Sequence, residues 1–376
     1  MHAPRSRKIL LVANAAWNLA NFRARLIGAL TAAGDEVVAA APPDAATARL
    51  AALGCRTVPL AMDPRGTSAA RDLALLVRLA RLVRTERPDV VLTYTIKPNI
   101  YGALAARLAG VPVVATVTGL GTAFLAPGAA AMVARPLYRL AFAGAATVVF
   151  QNAADRDVFV NGRLVAERRT ALVPGSGVDL ARFRPAPIPA DGPPRFLFVG
   201  RLLAEKGVGE FVEAARRIGR QRARFALLGE APEGAALPPA VAAAIADGTV
   251  THLGAVTDVR PHIAQAHAVV LPSYREGTSR ALLEAAAMAR PLIASDVPGC
   301  REALSHGGNG LLCAPRDGAA LASAMAAFLA LGDAARAAMG RASRQIAETR
   351  FDEEIVVARM TAAIDAALRQ RGCAAA

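Results

Sequence analysis

Two short segments hold the side chains best suited to gripping an anionic, hydroxyl-rich ligand. In the first, Gly200-Arg201-Leu202 is followed by Glu205-Lys206-Gly207. An arginine fork matches phosphate oxygens, and a lysine adds a point charge. In the second, Glu276 opens the run Glu276-Gly277-Thr278-Ser279, and Glu284 follows eight positions after Glu276. Taken singly, a loop glutamate and a glutamate on an alanine-rich helix are usually solvated. Together, cations in one loop and carboxylates in another suit a ligand with phosphate at one end and hydroxyls at the other.

The elements around these residues must place them. The apolar run 268–271 stops at Pro272, which cannot donate to a ladder. Residues 273–278 are polar and contain a glycine, so they read as a loop. From Ser279, the positions of Leu282, Leu283, Ala286 and Ala287 follow helical spacing. Thr278 or Ser279 suits the N-cap. Loop amides and a helix N-terminus then face one place and form an anion seat. Glu276 meets a ligand at the loop mouth, and Glu284 meets one lying along the helix. Residues 195–207 repeat the strand–loop–helix plan with Gly200 at the turn.

This pair of motifs resembles the nucleotide-sugar half of retaining glycosyltransferases of family 4, with the GT-B fold. The resemblance covers essentially the whole chain. It implies an α/β architecture of two doubly wound, Rossmann-like domains facing a cleft. Arg201 and Lys206 would hold the donor diphosphate, with Gly200 at the turn. Glu276 would contact the transferred sugar, Glu284 the ribose hydroxyls, and the amides of Gly277, Thr278 and Ser279 the donor oxygens. Arg201, Lys206 and Glu276 would then carry the catalysis. No metal or other cofactor is expected, and the co-substrate would be a UDP-sugar. Segment 254–258 is where relatives hold the nucleobase, largely through backbone.

Composition sets the frame. A chain of 376 residues suits two domains, and 54% hydrophobic residues lies far from the disordered range. Aromatics are only 5%, which points to a core of Ala, Leu and Val. No apolar run reaches bilayer length, and the basic start leads into a strand without a cleavage signal, so no membrane span or signal peptide is expected. Cys55, Cys300, Cys313 and Cys373 lack metal-ligand spacing and read as inert thiols of a reducing compartment. Of the net charge of +14, residues 1–188 carry +12, from 23 Lys+Arg against 11 Asp+Glu. A basic half calls for an anionic partner. With no nucleic-acid recognition motif present, anionic lipid or a lipid-linked diphosphate fits better than nucleic acid.

In chain order, residues 8–13, a loop with Asn14 and Asn18, a helix over 19–33 and a strand over 36–41 make a doubly wound unit without G-x-G-x-x-G. That omission counts against a dinucleotide oxidoreductase. Asn14 and Asn18 stand where an acceptor approaches. Phe22 is expected to pack the helix and Arg23 to be solvated. A helix over 67–87 sets Leu73, Leu76, Val77, Leu79 and Leu82 as its apolar positions. Arg71, Arg78, Arg81 and Arg84 step along it as a cationic stripe, either a solvated face or a membrane contact. Residues 95–102, with Lys97 and Asn99, follow a strand over 89–93. This run resembles a subgroup of family 4 that builds bacterial surface glycans on a polyprenyl diphosphate carrier. That subgroup includes N-acetylgalactosaminyltransferases acting on diacetylbacillosamine-linked carriers. Lys97 would then face the cleft and an anionic group, unless the loop only caps a helix. A strand over 113–117 ends in a loop with Gly119 and Gly121. Relatives carry a histidine here, and this chain has none. Asp155 and Asp157 fit the dipole of a helix start rather than a metal.

The expected boundaries follow. Residues 1–188 form an acceptor-binding domain, 189–350 a nucleotide-sugar-binding domain, and 351–376 a helix crossing back to the first. The expected reaction moves a hexosyl or N-acetylhexosaminyl unit onto a glycan or polyprenyl-diphosphate-linked acceptor. It would take place in the cytoplasm at the inner face of the membrane, with a peripheral anionic-membrane contact. Two alternatives are a GT-B UDP-sugar epimerase and a non-catalytic basic protein binding membrane or nucleic acid.

Overall fold

The computed structural model describes residues 6–375, apart from residues 65, 67, 121–128 and 233. Two compact units emerge, one of residues 1–176 with 354–376, the other of residues 177–353.

The first unit holds seven parallel strands: β1 (Lys8–Val12), β2 (Glu36–Ala41), β3 (Arg56–Pro59), β4 (Val90–Tyr94), β5 (Val113–Val117), β6 (Thr147–Phe150) and β7 (Thr170–Leu172). Their order is β3-β2-β1-β4-β5-β6-β7. Ile9 lies opposite Val37 on one side and Val90 on the other. Both sheet faces are covered, which is why β1, β4 and β5 are nearly unbroken apolar runs. The helices are α1 (Ala16–Phe22), α2 (Ala24–Ala32), α3 (Thr47–Ala52), α4 (Ala69–Glu86), α5 (Ala103–Leu108), α6 (Ala129–Phe142) and α7 (Ala153–Asn161). Leu75, Leu79 and Val83 of α4, Tyr138 and Phe142 of α6, and Phe159 of α7 share one core with the sheet. Leu19, Leu26 and Ile27 fill the opposite face.

The second unit has six parallel strands: β8 (Arg195–Val199), β9 (Arg224–Leu228), β10 (Thr251–His252), β11 (Ala268–Leu271), β12 (Leu292–Ser295) and β13 (Gly310–Cys313). They run in the order β10-β9-β8-β11-β12-β13. Its helices are α8 (Val208–Ile218), α9 (Pro239–Ala246), α10 (Arg260–Gln265), α11 (Arg280–Ala287), α12 (Gly318–Ala330) and α13 (Asp333–Arg350). The last helix, α14 (Glu353–Ala375), sets Val356, Met360 and Ile364 into the core of the first unit.

Five expectations change. The division falls at 176/177 rather than 188, because residues 177–188 bond and pack with the second unit. Val178 N donates to Phe351 O at 2.8 Å, and Phe183 is buried in that core. The helix expected over 19–33 is two helices, α1 and α2, which meet at Arg23. Arg23 is buried, not solvated, and its guanidinium lies over the Tyr94 ring at 4.5 Å. On α4 the buried positions are Leu75, Leu79 and Val83, whereas Leu73 and Val77 stand exposed. Finally, the scarce aromatics are concentrated in the cores, where Phe196 stacks on Phe225 and Phe198 meets Phe211.

Arg290 is wholly buried and has no acidic hydrogen-bond partner among the described residues. It donates to the carbonyls of Ile263 (2.9 Å), Pro187 (2.8 Å) and Ala264 (2.9 Å). Burial pulls its pKa down to about 10. Removing it leaves three carbonyls without their donor, each costing about 1–3 kcal/mol when buried. Arg290→Ala should therefore lower the unfolding free energy of the second unit by about 3 kcal/mol in a urea titration. A loss below about 1 kcal/mol would contradict this account.

Candidate active site

In the second unit, β8 and β11 are sheet neighbours, yet the chain leaves them in opposite directions, toward β9 and β12. This is the switch point where doubly wound sheets open a crevice at the strands' carboxyl ends. The two motifs fall on its two lips. Segment 200–207 follows β8 and leads into α8, and segment 272–279 follows β11 and leads into α11.

Two glycines allow close backbone approaches here, Gly207 between the two motif loops and Gly299 from the turn after β12. Gly207 has φ +75°, and a Cβ there would meet the Pro272 carbonyl oxygen at 2.0 Å. Gly299 has φ +85° and would meet the Glu276 carbonyl oxygen at 2.4 Å. Both positions need a left-handed backbone and no side chain. Backbone bonds hold these approaches, with Tyr274 N donating to Glu205 O (2.9 Å) between the motif loops and Ser279 N to Gly299 O (3.1 Å) in the turn after β12.

The closure brings Lys206 Nζ to 2.5 Å from Glu276 Oε1, an ion pair largely shielded from solvent. Ser273 Oγ, fully buried, donates to the same oxygen at 2.7 Å. Both bonds fall on Oε1, so Oε2 keeps its capacity to accept. A lysine ammonium carries three donors, so Lys206 can hold Glu276 and still bind an anion. Arg201 stands exposed just after Gly200, with no ion pair among the described residues. The Ser279 side chain caps α11 by accepting from Leu282 N, as expected. The left-handed Gly207 starts α8 with no side-chain cap, leaving its first amides open to an anion.

Glu284 is buried on α11, and Arg280 Nε donates to its Oε1 at 2.7 Å. Burial pushes the Glu284 carboxyl above the ordinary carboxylate value, and Arg280 opposes that shift. Beside Arg201 a cavity of about 360 Å³ is lined by Leu228, Glu230, Ala255, Val256 and Val259. Segment 254–258, expected at a nucleobase, borders this space. Sequence reasoning missed Ser273 and Arg280. The second was readable, since Arg280 and Glu284 are one helical turn apart. Tyr274 was missed as well; its hydroxyl donates to Glu210 at 2.6 Å, and Arg316 lies over its ring at 4.7 Å.

The first unit has its own switch point between β1 and β4. Asn14 and Asn18 follow β1, half-buried, and the Asn18 Oδ1 is buried without a hydrogen-bond partner among the described residues. Thr95, just after β4, takes φ +72°, strained for a β-branched residue, and its Oγ1 is also buried and unpartnered among the described residues. Two expectations shift here. Lys97 Nζ is bonded to Asp72 Oδ1 at 2.6 Å, and Tyr101 OH donates to Asp72 Oδ2 at 3.0 Å, so the lysine charge is already matched. Asn99 is a buried strut: it accepts from Thr93 Oγ1 (2.8 Å) and donates to Thr116 O (2.9 Å). Gly119, two residues past β5, takes φ +142°, and Gly121 lies outside the described residues. Asn152 caps α7 by accepting from Asp155 N, so this D-x-D sits at a helix start as expected. Burial pushes the Cys55 and Cys313 thiols up to about 11, and Cys300 well above its ordinary value.

Comparison with known proteins places this geometry. A glycosyl transferases group 1 model matches residues 193–330, and a glycosyl transferase 4-like domain model matches residues 19–175. The N,N'-diacetylbacillosaminyl-diphospho-undecaprenol alpha-1,3-N-acetylgalactosaminyltransferase of Campylobacter jejuni is 29% identical over 81% of this chain and 84% of its own. The UDP-Gal:alpha-D-GlcNAc-diphosphoundecaprenol alpha-1,3-galactosyltransferase of Escherichia coli is 30% identical over 62% of this chain and 65% of its own. Among solved structures, Anabaena Alr3699/HepE in complex with UDP and glucose superposes with a TM-score of 0.81 at 19% identity, covering 96% of this chain and 99% of that one. A glycosyltransferase from Rickettsia africae gives 0.79 at 17% identity, covering 97% and 99%.

The buried Glu284 yields a stability prediction. A carboxyl whose pKa is raised on folding costs stability above its folded pKa, and the cost vanishes below its unfolded value. Glu284→Gln keeps an acceptor for Arg280 but removes the charge. Its thermal midpoint should exceed the wild-type value at pH 8, and the gap should close near about pH 4. A lower midpoint at pH 8 would show that Arg280 outweighs burial.

Proposed function

We propose that this chain, a glycosyltransferase carrying two family 4 domains of the GT-B type, moves a hexosyl or N-acetylhexosaminyl unit from a UDP-sugar. The acceptor is a glycan precursor on a polyprenyl diphosphate, and transfer retains the anomeric configuration. One observation carries the reading: the Lys206–Glu276 ion pair at 2.5 Å. It sets a cation of one loop and a carboxylate of the other within the span of a single sugar diphosphate.

The remaining roles follow from position. Arg201, Lys206 and the N-termini of α8 and α11 take the negative charge that grows on the leaving diphosphate as its bond to the sugar stretches. Glu276 orients the sugar through Oε2. Glu284 accepts from the ribose hydroxyls, the amides of Gly277, Thr278 and Ser279 meet donor oxygens, and the cavity beside Arg201 takes the base. The second unit is thus the donor domain and the first the acceptor domain, with Asn14, Asn18 and the Gly119 turn on the acceptor side. Lys97, matched by Asp72, is at most an indirect contributor. Support for a UDP donor comes from the Escherichia coli relative, named for UDP-Gal, and from the Anabaena neighbour holding UDP and glucose. Support for the acceptor comes from two relatives named for diphospho-undecaprenol-linked sugars. The relatives described here are transferases, which disfavours the epimerase reading. The enzyme works in the cytoplasm, peripherally at the inner membrane face, and no nucleic-acid partner is assigned.

Assay with a UDP-sugar panel and a polyprenyl-diphosphate-linked acceptor tests this. Arg201→Ala should lower kcat/KM by about 10²–10³-fold, the scale of losing one charge-stabilising donor. EDTA should leave the wild-type rate unchanged. A variant within about threefold of wild type, or EDTA inhibition reversed by manganese, would overturn the scheme.

A further inference from the structure

We infer that the outer face of α4, α5 and α6 in the first unit is a docking surface for a bilayer rich in anionic lipid. The inference deepens the peripheral-membrane part of the proposed function by naming the surface, and it does not require sugar transfer. Its basis is an unusual coincidence of exposed aliphatic and unpaired cationic side chains.

All seven large hydrophobic side chains that stand exposed among the described residues belong to the first unit. Six lie on these three helices: Leu73 (62% exposed) and Val77 (41%) on α4, Leu108 (68%) on α5, and Met132 (72%), Val133 (61%) and Leu140 (52%) on α6. Such exposure excludes them from the core beneath, which already takes Leu75, Leu79, Tyr138 and Phe142. The helices cover one side of the sheet, with α5 packed against both α4 and α6. A clustered apolar face on a soluble unit marks an interaction site.

Arginines alternate with these side chains: Arg78, Arg81 and Arg84 on α4, Arg107 on α5, and Arg135 and Arg139 on α6. None of the six enters an ion pair among the described residues. Some arginines of the unit are matched, as Arg7 is by Asp35 and Arg25 by Glu354. Arg107 instead donates to Leu140 O (3.3 Å), and Arg139 to Arg163 O (3.1 Å), which holds these cations at the surface. Next to α6, a cavity of about 550 Å³ adds Arg163 and Arg168 against apolar walls of Phe142, Val160 and Leu164, with Glu167 as its single acid. No helix among the described residues is long and apolar enough to cross a membrane, so contact would be at the interface. Aliphatic side chains that enter the acyl boundary, ringed by arginines that meet headgroups, fit an anionic bilayer. A nucleic acid would use the cations and leave the aliphatic residues idle.

Co-sedimentation of the full chain with vesicles tests this. The wild type should pellet with phosphatidylglycerol–phosphatidylcholine vesicles, release as salt rises, and stay in solution with phosphatidylcholine alone. Arg78→Gln with Arg81→Gln and Arg84→Gln should weaken binding about fivefold per arginine. Met132→Ser with Val133→Ser keeps the charge and should also weaken binding about fivefold or more. Both variants should keep the wild-type thermal shift with UDP, which reports a folded second unit; loss of that shift in the wild type would sink the donor reading and leave this one standing. Equal pelleting with neutral and anionic vesicles would overturn the inference. So would loss of binding in the arginine variant with none in the serine variant, the behaviour of a charge-only surface for a polyanion such as nucleic acid.

Discussion

The second unit is arranged around one charged contact, the Lys206–Glu276 pair. Its partners come from loops 70 residues apart in the chain. They meet because parallel strands β8 and β11 are neighbours whose crossovers diverge, and because Gly207 allows its backbone to approach Pro272 where a Cβ would collide. A buried ion pair is weak evidence for stability, since desolvation offsets much of the attraction. Its value here is positional. It fixes a cation and a carboxylate at one end of a crevice already walled by two helix N-termini, so little rearrangement is left when an anionic ligand arrives.

The same topology appears twice, but with different electrostatics. At the β8/β11 switch point the cations Arg201 and Lys206 stand at the crevice. At the β1/β4 switch point the one nearby lysine, Lys97, is held by Asp72 and Tyr101, and the asparagine beside it, Asn99, is a buried strut. Beside them lie Asn18 Oδ1 and the strained Thr95 Oγ1, both unpartnered among the described residues, and the buried Arg23 guanidinium over Tyr94. The unpartnered polar oxygens of the first crevice suit hydroxyl groups, whereas Arg201 and Lys206 of the second suit phosphate. The arginines of α4, α5 and α6 that have no ion pair among the described residues lie instead on outer helices.

Much of this was legible in the chain. Strand–loop–helix punctuation placed the loops, the Ser279 cap and the strands β2 and β11 at or within a residue of their observed limits. Local patterns could not reveal partners. Nothing near Lys206 announces Glu276, and nothing near Lys97 announces Asp72, since both pairings depend on which strands are neighbours. The break at Arg23 carries no glycine or proline to signal it, because a buried contact with Tyr94 sets it. On α4, apolar periodicity found the helix and grouped Leu73 and Val77 with its other apolar positions, although both stand exposed. A stripe wide enough for a core and for a second exposed face reads in sequence as a single wide core stripe. The domain boundary slipped for a similar reason: prolines mark where a chain is irregular, whereas packing of Phe183 decides to which unit it belongs.

The central claim is that the second unit seats a nucleoside diphosphate between its two motif loops. A crystal structure of the protein with UDP tests it most directly. The phosphates should lie within hydrogen-bond reach of Arg201 and Lys206, the ribose hydroxyls on Glu284 and the base in the cavity beside Ala255 and Val256. Electron density for UDP at any other place on the molecule, with those side chains unchanged, would contradict it.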